Sequence, residues 1–150
     1  HKVTCRQDKW TYDIYPDAVL KDAVLVTDCR LTIHAGATIQ NAVIFVDNDD
    51  ATAVRAPSGV TIGLNDHCAE GGDVQIVTRG GVNFASSAEI YGSQIIAAKD
   101  ISLTANANGL EGVSLVAGGK LDVTSNGSYG FCDGGGMTNN YEAAYFRLAK

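Results

Sequence analysis

Proline is nearly missing from this chain, with two in 150 residues, and aromatic side chains make up only 7% of it. So little proline leaves no proline-rich linker to divide the chain, and 150 residues suit one domain with a continuous core. Positive charge is also scarce. Eleven Lys and Arg against seventeen Asp and Glu leave a net charge of −6, and no basic cluster or aromatic platform interrupts that balance, so nucleic acid is excluded as an expected partner. No apolar run approaches the roughly 20 residues needed to cross a bilayer, and no membrane span is expected.

Reaction motifs are lacking too. The chain has no G-x-S-x-G elbow, Walker loop or H-E-x-x-H segment, and His1, His34 and His67 are scattered without ligand spacing. No residue is assigned a catalytic role. The four cysteines, Cys5, Cys29, Cys68 and Cys132, form no C-x-x-C knuckle. Their even number in a Gly-rich, acidic chain points to an oxidising compartment, with Cys5–Cys29 and Cys68–Cys132 the favoured pairs among three. The alternative is four buried thiols in a cytosolic protein. A start at His1 with no signal segment leads us to expect a processed or excised product.

What the chain does contain is repetition. A seven-residue phrase recurs at Leu20–Val26, Ile39–Phe45, Ile90–Ile96 and Leu110–Val116, with starts 19 residues apart in the first pair and 20 in the second. A shorter apolar-polar-apolar phrase recurs at Leu31-Thr32-Ile33, Val60-Thr61-Ile62, Val82-Asn83-Phe84, Ile101-Ser102-Leu103 and Leu121-Asp122-Val123. Where both phrases occur they keep a phase of eight or nine residues. A period near 20 with fixed phase is the mark of a coil stacked on its neighbour, each coil holding a short strand, a corner and a longer strand.

The longer first gap between triplets implies an insertion in 47–58, and Asn65–Gly72 reads as an extended corner. A sandwich of short antiparallel strands is the competing architecture, but its strands have no reason to resemble one another at constant period. Aliphatic side chains and 17 glycines suit narrow aligned ladders with tight corners.

The ends break the pattern. Trp10, Tyr12 and Ile14 alternate with polar residues as a strand does, while Tyr141, Ala144, Tyr145 and Leu148 are spaced as one face of a short helix. Such ends cap the open strand edges of a stack, or they join one subunit to the next. Trp10, Tyr12, Tyr141 and Tyr145 are therefore the candidate interface residues. Asp47, Asp49 and Asp50, with Asn48, offer oxygens for calcium, against the plainer reading of a solvated turn. Asn65, Asp66, His67 and Glu70 are the candidate binding residues on the extended corner. The middle residues of the triplets, Thr32, Thr61, Asn83, Ser102 and Asp122, form a file with one ionisable member, which argues against a glycosidase acid pair.

Residues 92–119, closing on Tyr145-Phe146-Arg147-Leu148, resemble the C-terminal β-helical part of TadE/TadG-like proteins of the Tad (Flp) pilus machinery in Gram-negative bacteria. The resemblance implies an envelope or cell-surface role in pilus assembly or adhesion and transfers no catalytic residues. The expected protein is all-β: a right-handed parallel β-solenoid of about five or six coils, with a cap strand over 1–16, coils over 17–136 and a capping helix over 137–150. Its expected role is that of a secreted, cell-surface or periplasmic structural module, not an enzyme, that docks to protein partners or to itself. A carbohydrate-binding or carbohydrate-cleaving β-helix using the Asn65–Gly72 corner is the alternative. No cofactor is expected beyond the calcium considered above.

Overall fold

In a computed structural model, which describes residues 2–5, 10–66 and 74–125, the chain forms thirteen strands, and among those residues there is no helix. The strands are β1 (Lys2–Val3), β2 (Thr11–Ile14), β3 (Val19–Thr27), β4 (Arg30–Ile33), β5 (Thr38–Val46), β6 (Val54–Ala56) and β7 (Thr61–Ile62), then β8 (Val74–Thr78), β9 (Val82–Tyr91), β10 (Gln94–Ala97), β11 (Ile101–Glu111), β12 (Ser114–Ala117) and β13 (Leu121–Ser125). All pairings are parallel. Consecutive segments lie on different faces and pair only with the turn above or below. The result is a β-solenoid of about five turns, with three sheet faces around one core.

The first face stacks β2, β4, β6, the start of β9, the start of β11 and β13. The second stacks the first legs of β3 and β5, then β7 and the ends of β9 and β11. The third stacks β1, the second legs of β3 and β5, then β8, β10 and β12. The seven-residue phrase is the bent strand that crosses from second to third face: Leu20 lies beside Ile39 and Ile90 beside Leu110, while Ile95 lies beside Leu115. At the bend the backbone turns left-handed, at Asp22 (φ 51°), Asn41 (φ 43°), Gly92 (φ 50°) and Gly112 (φ 63°). Asn and Asp tolerate that region better than other side chains, and Asn41 donates from Nδ2 to Asp22 Oδ1 at 2.6 Å, tying one bend to the next.

Inside, equivalent residues stack as ladders. Leu31, Val54, Val82 and Ile101 align on the first face, Ile39, Ile62 and Ile90 on the second, and Leu25, Ile44, Ile76 and Ile95 on the third. Each of them is 5% exposed or less. One narrow aliphatic column joins every turn, which is why few rings are accommodated; Phe84 is the ring among the largest fully buried side chains.

The third turn departs from the expected register. The triplet Val60-Thr61-Ile62 does not belong to the first face: Thr61 and Ile62 pair with Thr38 and Ile39 and with Glu89 and Ile90, on the second. Val54-Arg55-Ala56 fills the first-face place instead, so the outward file runs Asp13, Thr32, Arg55, Asn83, Ser102 and Asp122. Both triplets have the same apolar-polar-apolar form, so alternation alone does not separate them. The aromatic segment forms β2, the first-face strand of the first turn, at the end of the strand order and with Tyr12 beside Leu31.

A disulfide joins Cys5 to Cys29, with the Cα atoms 5.2 Å apart, as expected for the first pair. It fastens β1 to the corner after β3. Cys68, Cys132 and the helix expected over 137–150 lie outside the described residues, and among the described residues no helix is long and apolar enough to cross a membrane.

Candidate functional site: an outward apolar face

The third face carries apolar side chains on both of its surfaces. In a strand, neighbouring residues point to opposite sides. With Leu25, Ile44, Ile76 and Ile95 turned into the core, the next residue of each strand must point out. These are Val26, Phe45, Val77, Ile96 and, on β12, Val116, aligned strand by strand. All five are aliphatic or aromatic. The outward positions on the other side of the core ladder are Val24, Val43, Gln75, Gln94 and Ser114, again in register.

Val24 is 56% exposed, Val43 40% and Val116 46%, whereas Val26, Phe45, Val77 and Ile96 are half-buried because each packs against its ladder neighbours. Two shallow grooves mark this sheet near its N-terminal end. One of about 360 Å³ lies along Asp22, Val24, Asn41, Val43 and Gln75, and one of about 310 Å³ along Val3, Val26, Asp28, Phe45 and Asp47. Parallel sheets normally have both faces covered, so an apolar outer surface spanning five strands is the main unexplained feature of the fold.

Charge is graded along the corner that follows this face. Asp28 follows β3, and Asp47, Asp49 and Asp50 follow β5; Arg79 follows β8, Lys99 and Asp100 follow β10 and Lys120 follows β12. The Arg79 guanidinium donates to Asp47 Oδ1 at 2.8 Å, and Lys99 Nζ donates to the carbonyl of Asp49. Asp50 Oδ1 accepts from the Thr52 backbone N–H at 2.8 Å and from its hydroxyl at 3.1 Å, with Arg30 3.5 Å from its other oxygen. Those two bonds from Thr52 hold the Asp50 carboxyl below the usual carboxylate range, helped by Arg30 and Lys99.

The acidic corner considered for calcium is thus a hydrogen-bonded turn crossed by three cations. Among the described residues, the oxygens of Asp47, Asp49 and Asp50 do not gather into a common ligand set; the one three-residue group that converges is Cys5, Asp28 and Cys29, whose sulfurs are joined to each other.

The other expected positions are spread out. Asn65 and Asp66 begin the extended corner beside the second face, while His67 and Glu70 lie outside the described residues. Trp10 is 72% exposed at the N-terminal end, and Tyr12 lines a cleft there of about 350 Å³ with Tyr15, Asp13 and the Cys5–Cys29 bridge. Tyr141 and Tyr145 fall outside the described residues. Two arrangements escaped the sequence reading. His34 Nε2 lies 2.9 Å from Asp13 Oδ1 across adjacent turns, and Arg55 donates from Nε to Thr32 Oγ1 at 3.0 Å in the middle of the first-face file.

Tyr91 is covered on the second face, and burial first, then the neighbouring Glu89 and Glu111 carboxylates, push its hydroxyl above the ordinary tyrosine range. The signal for the apolar face was nevertheless present in the sequence. Leu25-Val26, Ile44-Phe45, Ile76-Val77, Ile95-Ile96 and Leu115-Val116 are apolar doublets, and a doublet in a strand must put one of its members outside.

Comparison with known proteins gives one match. The family described as "Domain of unknown function (DUF7867)" matches residues 1–133, and the chain belongs to it. No curated protein and no solved structure matches.

Proposed function

We propose that this DUF7867 member is a non-catalytic structural module of the cell envelope or surface, associated with pilus or surface assembly, which docks through the third face of its solenoid. The observation that carries this reading is the outward ladder Val26, Phe45, Val77, Ile96 and Val116 on a rigid parallel sheet. An apolar strip of that regularity contributes little to the core it faces away from, and its burial against a partner is favourable at about 25 cal/mol per Å² of apolar surface removed from water. The Cys5–Cys29 bridge favours an oxidising compartment.

Hydroxyl-radical footprinting tests the docking. Val26, Phe45, Val77 and Ile96 should be oxidised less in intact envelopes of the producing cell than in the purified chain, while Tyr15 is oxidised equally. Equal oxidation of the ladder in both settings overturns the reading.

Carbohydrate binding is the second reading. It is favoured by the exposure of Trp10 and Tyr15, at 72% and 68%, next to the N-terminal cleft. Glycan retention lost in Trp10→Ala and Tyr15→Ala would support it, and no retention by the unaltered chain would remove it.

A further inference from the structure

We propose that the occupant of the third face is a second copy of this chain, packed face to face and antiparallel about a two-fold axis that runs along β8. This rests on the docking reading above and names its partner. Of the six strands of the face, five carry the apolar ladder, in the order β3, β5, β8, β10, β12 beyond β1, and β8 is the middle one of the five. A two-fold along the central strand sets Val77 against its own copy, Phe45 against Ile96, and Val26 against Val116. Every member of the outward ladder then meets an apolar side chain, as an isologous interface requires.

The rim charges choose the direction. This corner carries four acids in the first two turns (Asp28, Asp47, Asp49, Asp50) and three bases with one acid in the last three (Arg79, Lys99, Asp100, Lys120), −4 against 3 − 1 = +2. Antiparallel packing brings the acidic half of the corner, Asp28 to Asp50, opposite the partner's basic half, Lys99 to Lys120, so that the net charges oppose each other. Parallel packing, about an axis along the solenoid, runs the facing strands in opposite directions and sets this corner against the bend that precedes the partner's face, so its acidic and basic halves do not meet. Arg79 lies near the axis, and its own Asp47, 2.8 Å away, offsets its charge.

Size sets the strength. Five strands about 4.8 Å apart and about 15 Å long present roughly 360 Å² per copy. The pair thus buries roughly 700 Å² before the rim is counted, short of the ~1,200 Å² of a standard interface. The dimer is therefore reversible, populated in a range of roughly 0.1 to 1 mM. Such concentrations are reached where copies are crowded on a surface.

Sedimentation equilibrium of the full, oxidised chain from about 10 µM to about 1 mM tests this. Monomer and dimer should exchange across that range, weakening with salt as the rim charges are screened. Val77→Lys points outward, so the fold should be retained with at most a small fall in urea midpoint while dimerisation falls at least tenfold. Under mild oxidation Val77→Cys should cross-link to itself, and Val26→Cys should cross-link to Val116→Cys but not to itself.

A chain that stays monomeric at 1 mM overturns the proposal, and so does a dimer that Val77→Lys does not weaken. A monomer that Val77→Lys unfolds shows that the chain covers its own face, which also overturns it. Cross-linking of Val24→Cys to Val26→Cys in place of the expected pairs overturns the antiparallel arrangement. A monomer whose ladder is still protected in the envelope removes the second copy and leaves docking standing; an unprotected ladder removes both.

Discussion

Ile76 and Val77 are neighbours on β8 that face opposite ways, and truncating each to Ala separates the core from the outer face. Ile76 is fully buried, at 0% exposure, between Ile44 and Ile95. Ile76→Ala removes three carbons, a transfer loss of about 2.4 kcal/mol at ~0.8 kcal/mol each. If the ladder cannot close over the gap, roughly 75 Å³ of cavity adds about 1.8 kcal/mol, for a total of about 4 kcal/mol. That is a large part of the roughly 5–15 kcal/mol that holds a typical domain together.

Val77→Ala removes two carbons from a half-buried position, so about 0.8 kcal/mol is lost. Urea unfolding followed by circular dichroism, at dilution low enough to exclude association, should show a several-fold difference in the loss with unchanged slope. Equal losses for the two variants, or a loss below about 1.5 kcal/mol for Ile76→Ala, would refute the assignment of inside and outside on this strand.

Three further outcomes follow from the corners. Replacing Cys5 and Cys29 together by Ala opens a loop with a sequence separation of 24. The chain-entropy cost is about 3.5 kcal/mol, read as a lower urea midpoint that added reductant no longer shifts through this bridge. Gly63 has φ +84°, and a Cβ there would lie 1.9 Å from the Tyr91 carbonyl oxygen; Gly63→Ala should cost about 3 kcal/mol or more. Gly59→Ala, whose Cβ would meet Ser87 O at 3.3 Å without a positive φ, should cost under about 1 kcal/mol.

Thr52→Val removes a hydroxyl donor to Asp50, so the Asp50 carboxyl should titrate at higher pH by carbon NMR. The folded Asp50 pKa is depressed. Its contribution is therefore present above the unfolded pKa and lost as pH falls through the folded value. The variant's acid-induced loss of stability should be correspondingly shallower; an unmoved Asp50 titration refutes the role of the Thr52 hydroxyl, since the backbone N–H bond is kept.

Much of the fold was legible because period-2 alternation and a 20-residue step are properties of local sequence. The matches of Leu20 with Ile39 and Ile90 with Leu110 needed no coordinates, since equivalent places in stacked turns impose equivalent side chains. Cys5 with Cys29 was favoured because that bridge pins the N-terminal segment to the first coil, and it is the pair that forms. Where two triplets of identical form stood either side of a corner, at Val54 and Val60, the sequence had no means of ranking them. Only pairing with Leu31 and Val82 put Arg55 into the first-face file.

The acidic corner shows the same limit. Asp47, Asp49 and Asp50 are close in sequence, but their partners Arg79, Lys99 and Arg30 come from other segments, the first two from later turns, and a side-chain charge is neutralised by what lies near it in space. The doublets ending each seven-residue phrase already required an apolar side chain outside the coil. The repeat matches Val26 with Phe45 and Ile96 with Val116, but only stacking joined the two pairs through Val77 into one continuous face, because hydrogen-bonded register between distant segments decides which exposed residues become neighbours.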